Sequence, residues 1–241
     1  MRRYIFFILS LFLVLPACAQ SEHYQERVAQ FAAMRDIDST DIVMLGNALT
    51  EYAGDWNVLL SWRHVRNRGI AGDDAEGMYR RMGSILKGRP KAIFLMTGGQ
   101  DIIEGKTVDE AFNASVALIA HIRRTSPRTK LFVESNLPIW ENNQELLKGK
   151  MQMMAQLNVR LRHYCEKHHI AYINLFRSFV RRGTNEMRRE LTQDGFLLTA
   201  FGYKMWAFEI KKYLYSLTPH APLQRRGGVK CFKSRFKRYA S

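Results

Sequence analysis

The chain has 241 residues, 46% hydrophobic and 24% charged. That composition excludes a disordered protein and leaves room for one α/β domain with a full core. The net charge is +15, and residues 225–241 carry seven Lys or Arg and no acid, which leaves +8 for the rest. On an exported chain such a balance favours an anionic membrane or polysaccharide over nucleic acid, the alternative being a solvated tail with no partner.

Export is expected from the N-terminus. Arg2 and Arg3 form a positive start, residues 4–15 an apolar stretch, and Pro16-Ala17-Cys18-Ala19 a small-residue exit. Cleavage before Gln20 is one outcome. Leu15-Pro16-Ala17-Cys18 also reads as a lipobox, which would leave Cys18 lipidated. An uncleaved anchor is disfavoured, because the apolar run is short for a bilayer. Each outcome takes the protein out of the cytoplasm, to a periplasmic or extracellular place that is membrane-anchored if Cys18 is lipidated. The expected layout is a signal peptide at 1–19, one domain at 20–218 and a basic tail at 219–241.

The remaining cysteines, Cys165 and Cys231, could pair in an oxidising compartment, but two cysteines do not make a disulfide framework. There is no zinc spacing, and the neighbours His168 and His169 would point apart on a helix. No cofactor or metal is expected.

In chain order, residues 21–35 predict an amphipathic helix, 41–45 a buried strand, 56–62 a short helix and 65–70 a weaker strand. A helix over 75–86 is closed by Lys87-Gly88, with Pro90 beyond. The run KAIFLMT, 91–97, is the clearest buried strand. A helix at 108–124, a strand at 130–134 (KLFVE), a mostly helical stretch at 141–168, a strand at 170–175 and a helix at 202–215 complete the set. Strands alternating with helices imply parallel βαβ units with helices on both faces of one sheet. Ligands of such sheets sit at the carboxyl ends of the strands.

The segments after those ends are Gly46-Asn47-Ala48-Leu49-Thr50-Glu51 (within LGNALTEY), Asn67-Arg68-Gly69-Ile70-Ala71-Gly72-Asp73, Thr97-Gly98-Gly99-Gln100-Asp101 and Ser135-Asn136-Leu137-Pro138. Asp194-Gly195-Phe196-Leu197-Leu198 precedes the last helix. Alone, each is an ordinary turn. As an ordered set, NRGIAGD, SNLPI and DGFLLTAFGY included, they resemble the SGNH, or GDSL, hydrolase family of esterases and lipases over roughly residues 41–215. The resemblance implies a flavodoxin-like three-layer α/β/α sandwich with a five-stranded parallel sheet. It also implies hydrolysis of acyl esters, commonly acetyl groups on carbohydrates.

By that resemblance the nucleophile serine falls at Ala48. The oxyanion hole falls on the Ala48 N–H, the Gly72 N–H and the side chain of Gln100, where the family has Asn. The family's Asp-x-x-His falls on Asp194 and Leu197. Gly72 and Asp194 therefore match, Gln100 departs by one methylene, and both proton-moving residues are absent. Hydrolysis by this route needs an oxygen nucleophile and a base, and Ala48 and Leu197 offer neither. Loss of Ser or His alone costs about 10⁶ in turnover, leaving roughly 10³–10⁴ over water from the hole and binding.

Thr50, His64, Thr199, Tyr203 or a water activated by Asp194 are the candidates for rescue. Trp56, Trp62 and Trp140 could stack on sugar rings or pack in the core. The expected protein is an exported family member, without esterase activity, that binds an acylated carbohydrate, a small ester-like ligand or a protein partner. The alternative is an active esterase with a rearranged site. A membrane surface could be met through the basic tail or a lipidated Cys18.

Overall fold

The computed structural model describes residues 22–141 and 144–218. The expected leader with Cys18, and the basic tail with Cys231, lie outside the described residues.

Five strands, β1 (Ile42–Gly46), β2 (Val65–Gly69), β3 (Ala92–Met96), β4 (Lys130–Glu134) and β5 (Ala171–Ile173), form one parallel sheet in the order β2-β1-β3-β4-β5. This is the expected flavodoxin-like order. Every residue of β1 and β3 is buried, because helices cover both faces; hence their unbroken apolar runs.

Alternate residues feed two cores. Val43, Leu45, Ile93, Leu95 and Val133 pack with α4 (Ala75–Arg80), α5 (Met82–Lys87), α7 (Val108–Thr125) and α8 (Lys150–Lys167). Ile42, Met44, Phe94, Met96 and Phe132 pack with α3 (Trp56–Leu60) and α10 (Ala200–Tyr215). Three short helices sit directly after strands: α2 (Ala48–Glu51), α6 (Gly99–Ile103) and α9 (Phe176–Phe179). A leading helix, α1 (Glu22–Ala33), lies against the β2 side through contacts described below.

Two expected helices differ. The helix over 75–86 is broken at Arg81 (φ −97°, ψ 5°), whose Nε turns inward to Asp73 Oδ2 at 2.7 Å. The stretch 141–168 is helical only from Lys150, after a single 3₁₀ turn, Glu145–Leu147, and Gly149 in the left-handed region at φ 75°. No helix among the described residues is long and apolar enough to cross a membrane.

Candidate active site

The carboxyl ends of the strands carry four of the five turns expected there, and the loop before α10 carries the last. Ala48 is the first residue of α2, two positions beyond β1. Its N-cap, Asn47, accepts the Leu49 N–H through its side chain at 3.1 Å. A first-turn helical N–H has no partner inside the helix. Gly72 lies three residues past β2, exposed, at φ +78°. Among the described residues neither the Ala48 N–H nor the Gly72 N–H donates to a protein acceptor.

Several contacts fix these two turns. Glu51 Oε2 accepts the Ala71 N–H at 2.6 Å and His23 Nε2 at 3.0 Å, while its Oε1 faces Arg27 Nε at 3.1 Å. Thus α1 is clamped to the turn of α2 and to the loop that carries Gly72. Asp101 Oδ2 accepts the Ala75 N–H at 3.0 Å, and Lys106 Nζ reaches Asp101 Oδ1 at 2.8 Å. Lys106 also pairs with Asp74, the N-cap of α4. These bonds hold α6 against the Gly72 loop. Burial and the Arg81 ion pair act oppositely on the neighbouring Asp73. Burial prevails, and its pKa rises to about 6.

Gln100 does not face these N–H groups through a fixed contact. Its Nε2 donates to Glu104 Oε1 at 3.1 Å, an i, i+4 pair along α6. Burial raises the Glu104 pKa.

Asp194 Oδ1 accepts the N–H groups of Phe196 (2.9 Å) and Leu197 (2.7 Å), and so caps its own turn. The turn is closed further by Gln193 N–H and the Thr192 hydroxyl, both donating to Leu197 O at 2.8 Å. It meets the segment after β4, where Trp140 N–H donates to Gly195 O at 2.9 Å. The half-buried Leu197 side chain packs on the α10-side core. Leu197, on which the resemblance places the base, is thus an apolar contact, and Asp194 holds its own turn through two N–H groups.

The rescue residues take other positions. Thr50 is buried, with Oγ1 unpaired. His64 O accepts the Ile42 N–H, at the amino ends of the strands, opposite the rim. Thr199 caps α10, accepting the Gly202 N–H at 3.1 Å. The Tyr203 hydroxyl donates to Leu49 O at 3.0 Å, and burial raises its pKa.

Nor are all three tryptophans at the rim. Trp56 is buried, edge-on to Trp206 at 5.2 Å, and donates to Thr50 O. Trp62 packs on Tyr215 at 5.8 Å, along α10. Trp140 stays half-exposed at the rim with the Arg189 guanidinium 4.7 Å from its ring centroid. They line a cavity with Glu141, Met151 and Glu186.

The rim residues that sequence reasoning missed are His23 and Arg27. Glu51 was visible in LGNALTEY, but its partners come from α1, and no local pattern announces them.

A doubly wound α/β protein with a five-stranded parallel sheet, helices on both faces and Gly-bearing turns at its strand ends has the fold of GDSL-like acylhydrolases. Residues 38–205 match the model of the GDSL-like lipase/acylhydrolase family, and the chain belongs to that family. No curated protein matches it. Among solved structures it is similar to a GDSL-like lipase from Bacteroides thetaiotaomicron VPI-5482, with TM-score 0.71 and 20% identity over 81% of this chain and 98% of that one. A protein from Bacteroides fragilis NCTC 9343 gives 0.70 and 21% over 80% and 97%. An acetyl xylan esterase gives 0.61 and 16% over 72% and 98%.

Proposed function

We propose that this protein is a non-catalytic member of the family, exported, that binds an acylated carbohydrate or a small ester-like ligand at the old catalytic rim. The carrying observation is the mismatch at that rim. The N–H groups of Ala48 and Gly72 are unpaired, while the nucleophile and base positions are a methyl and an isobutyl group. Two N–H donors can bind a carbonyl oxygen; without an oxygen nucleophile and a proton acceptor they cannot complete acyl transfer. Gln100, paired with Glu104, weakens the third donor. The carbohydrate part of the reading is supported by the likeness to an acetyl xylan esterase and by Trp140 at the rim, a surface suited to stacking. Export rests on Arg2, Arg3 and the apolar run that follows. Attachment to an anionic surface through residues 225–241 predicts association that is lost when they are deleted and weakens with salt.

The test is turnover of p-nitrophenyl acetate together with binding to an array of acetylated glycans. The proposal expects turnover no higher than background, and binding that is lost in Gly72→Trp.

One observation favours a second reading, an esterase with a rearranged site. The His23–Glu51 pair is a base with its orienting carboxylate, and it touches the Ala71 N–H beside Gly72. Turnover abolished by His23→Ala would establish that reading and overturn the first.

A further inference from the structure

A second feature lies on the far side of β2, where α1 crosses it. A cavity of about 160 Å³ opens there, with Val28, Phe31, Ile37 and Ile85 supplying apolar walls and Arg68 and Arg81 supplying charge. The Phe31 ring is ringed by guanidiniums: Arg68 at 4.5 Å, Arg27 at 4.8 Å and Arg81 at 5.9 Å from its centroid.

Two of these are compensated in part. Arg27 faces Glu51, and Arg81 pairs with Asp73 while its Nη1 has no partner. Arg68 is different. It is 5% exposed, yet among the described residues no carboxylate pairs with it. Its Nη1 donates to Asn67 O at 3.2 Å and contacts Met34 Sδ at 3.5 Å; among the described residues its Nε and Nη2 have no protein acceptor and remain open to solvent. Burial, and the like charges of Arg66 and Arg81, lower its pKa to about 10, so it stays cationic at neutral pH.

A buried guanidinium with no carboxylate in contact is costly, even with the charge of Asp41 nearby. The missing partner is an anion whose planar oxygens match the free Nε–Nη2 edge, as carboxylates do. The walls add a size and polarity limit. A dry cavity of about 150 Å³ accommodates a benzene-sized body.

We propose that this cavity is a binding site for a small organic carboxylate of about six to eight carbons in all, its carboxylate on Arg68 and its apolar body against Phe31, Val28 and Ile85. The site is separate from the rim and does not rest on the function proposed for it. Asp36 and Ser84 also line the cavity. The exposed Asp36 carboxylate opposes an incoming anion.

The experiment is calorimetric titration of the protein with benzoate and hexanoate at constant ionic strength, with benzyl alcohol, acetate and inorganic phosphate as comparison probes. Saturable binding of benzoate or hexanoate is expected, at least about tenfold tighter than acetate or phosphate, with none for benzyl alcohol. Arg68→Gln should weaken it at least about tenfold, and Arg68→Lys by less, since the charge remains but the fork is lost. Asp36→Asn should tighten it about twofold. Val28→Trp, which adds bulk at the exposed wall of the cavity, should abolish it and keeps the test valid if the Arg68 variants fail to fold. No saturable binding of either carboxylate, equal binding of benzyl alcohol, equal binding of phosphate, or full affinity in Val28→Trp would each overturn the assignment.

Discussion

The two sides of the rim differ in what they kept. On the β1–β2 side the candidate site is backbone: among the described residues the Ala48 and Gly72 N–H groups have no protein acceptor, and Glu51, Asp101 and Lys106 hold their turns in place. On the side before α10 the family's base falls, by resemblance, on Leu197, a side chain that packs on the core. The turns that present the backbone donors are also part of the fold, tied by Glu51, Asp101 and Lys106. A reactive side chain has no such support. Asp194 shows the same rule, since it binds two N–H groups of its own turn whether or not a histidine follows.

The comparison can be broken most severely at two glycines. A Cβ at Gly69 would stand 2.2 Å from Glu51 N, and one at Gly195 would stand 2.0 Å from Trp140 O. Both obstacles are backbone. Gly69→Ala and Gly195→Ala should each lose about 3 kcal/mol or more in a denaturant melt. Equal losses would show that both sides are held to similar tolerance.

A second effect concerns the sheet end between them. Glu134, the last residue of β4, is buried and accepts Trp206 Nε1–H at 3.0 Å. Burial raises its pKa to about 8. The unfolded chain releases this proton near the ordinary glutamate value, so between pH 4.5 and 8 the folded state holds more proton. Stability contributed by this group is full below that window and lost as pH rises through it. Glu134→Gln removes the slope, keeps the acceptor for Trp206, and should be more stable than the unmodified protein at pH 7 by about 3 kcal/mol. Melts at pH 5 and pH 7.5 check the sign.

A smaller effect is expected at Asp194. Asp194→Ala leaves the Phe196 and Leu197 N–H groups without their acceptor and should cost about 1–2 kcal/mol, read by thermal melt, while ester turnover stays at background. Smallest is Gln100→Ala. It removes one i, i+4 contact on α6 and should change stability by less than about 0.5 kcal/mol.

The sheet was legible in the sequence for a physical reason. Strands buried on both faces, such as Ile42–Gly46 and Ala92–Met96, must be apolar throughout, and the Gly-bearing turns after them punctuate the chain. The short helices α2, α6 and α9 were not legible, because four or five residues show no helical period. The break at Arg81 was hidden for another reason. It follows from a bond to Asp73, eight residues back, and not from the propensity of residues 75–86. At the site, Gly and Asp marked the turns, while Ala48, Gly72, Asp194 and Leu197 were singled out only by the family resemblance. His64 sits at the amino ends of the strands, away from the rim, and the burial of Thr50 depends on packing between distant segments. So does the clamp of His23 and Arg27 on Glu51.

The claim that the frame is intact while its reactive side chains are gone is tested most directly by restoring them. Turnover of p-nitrophenyl acetate is compared in the unmodified protein, Ala48→Ser, Leu197→His and the double variant. The account predicts background rates for the first three and a gain of at least about 10²-fold in the double variant, because nucleophile and base act as a unit. Turnover already present in the unmodified protein, and unchanged in the double variant, would contradict it.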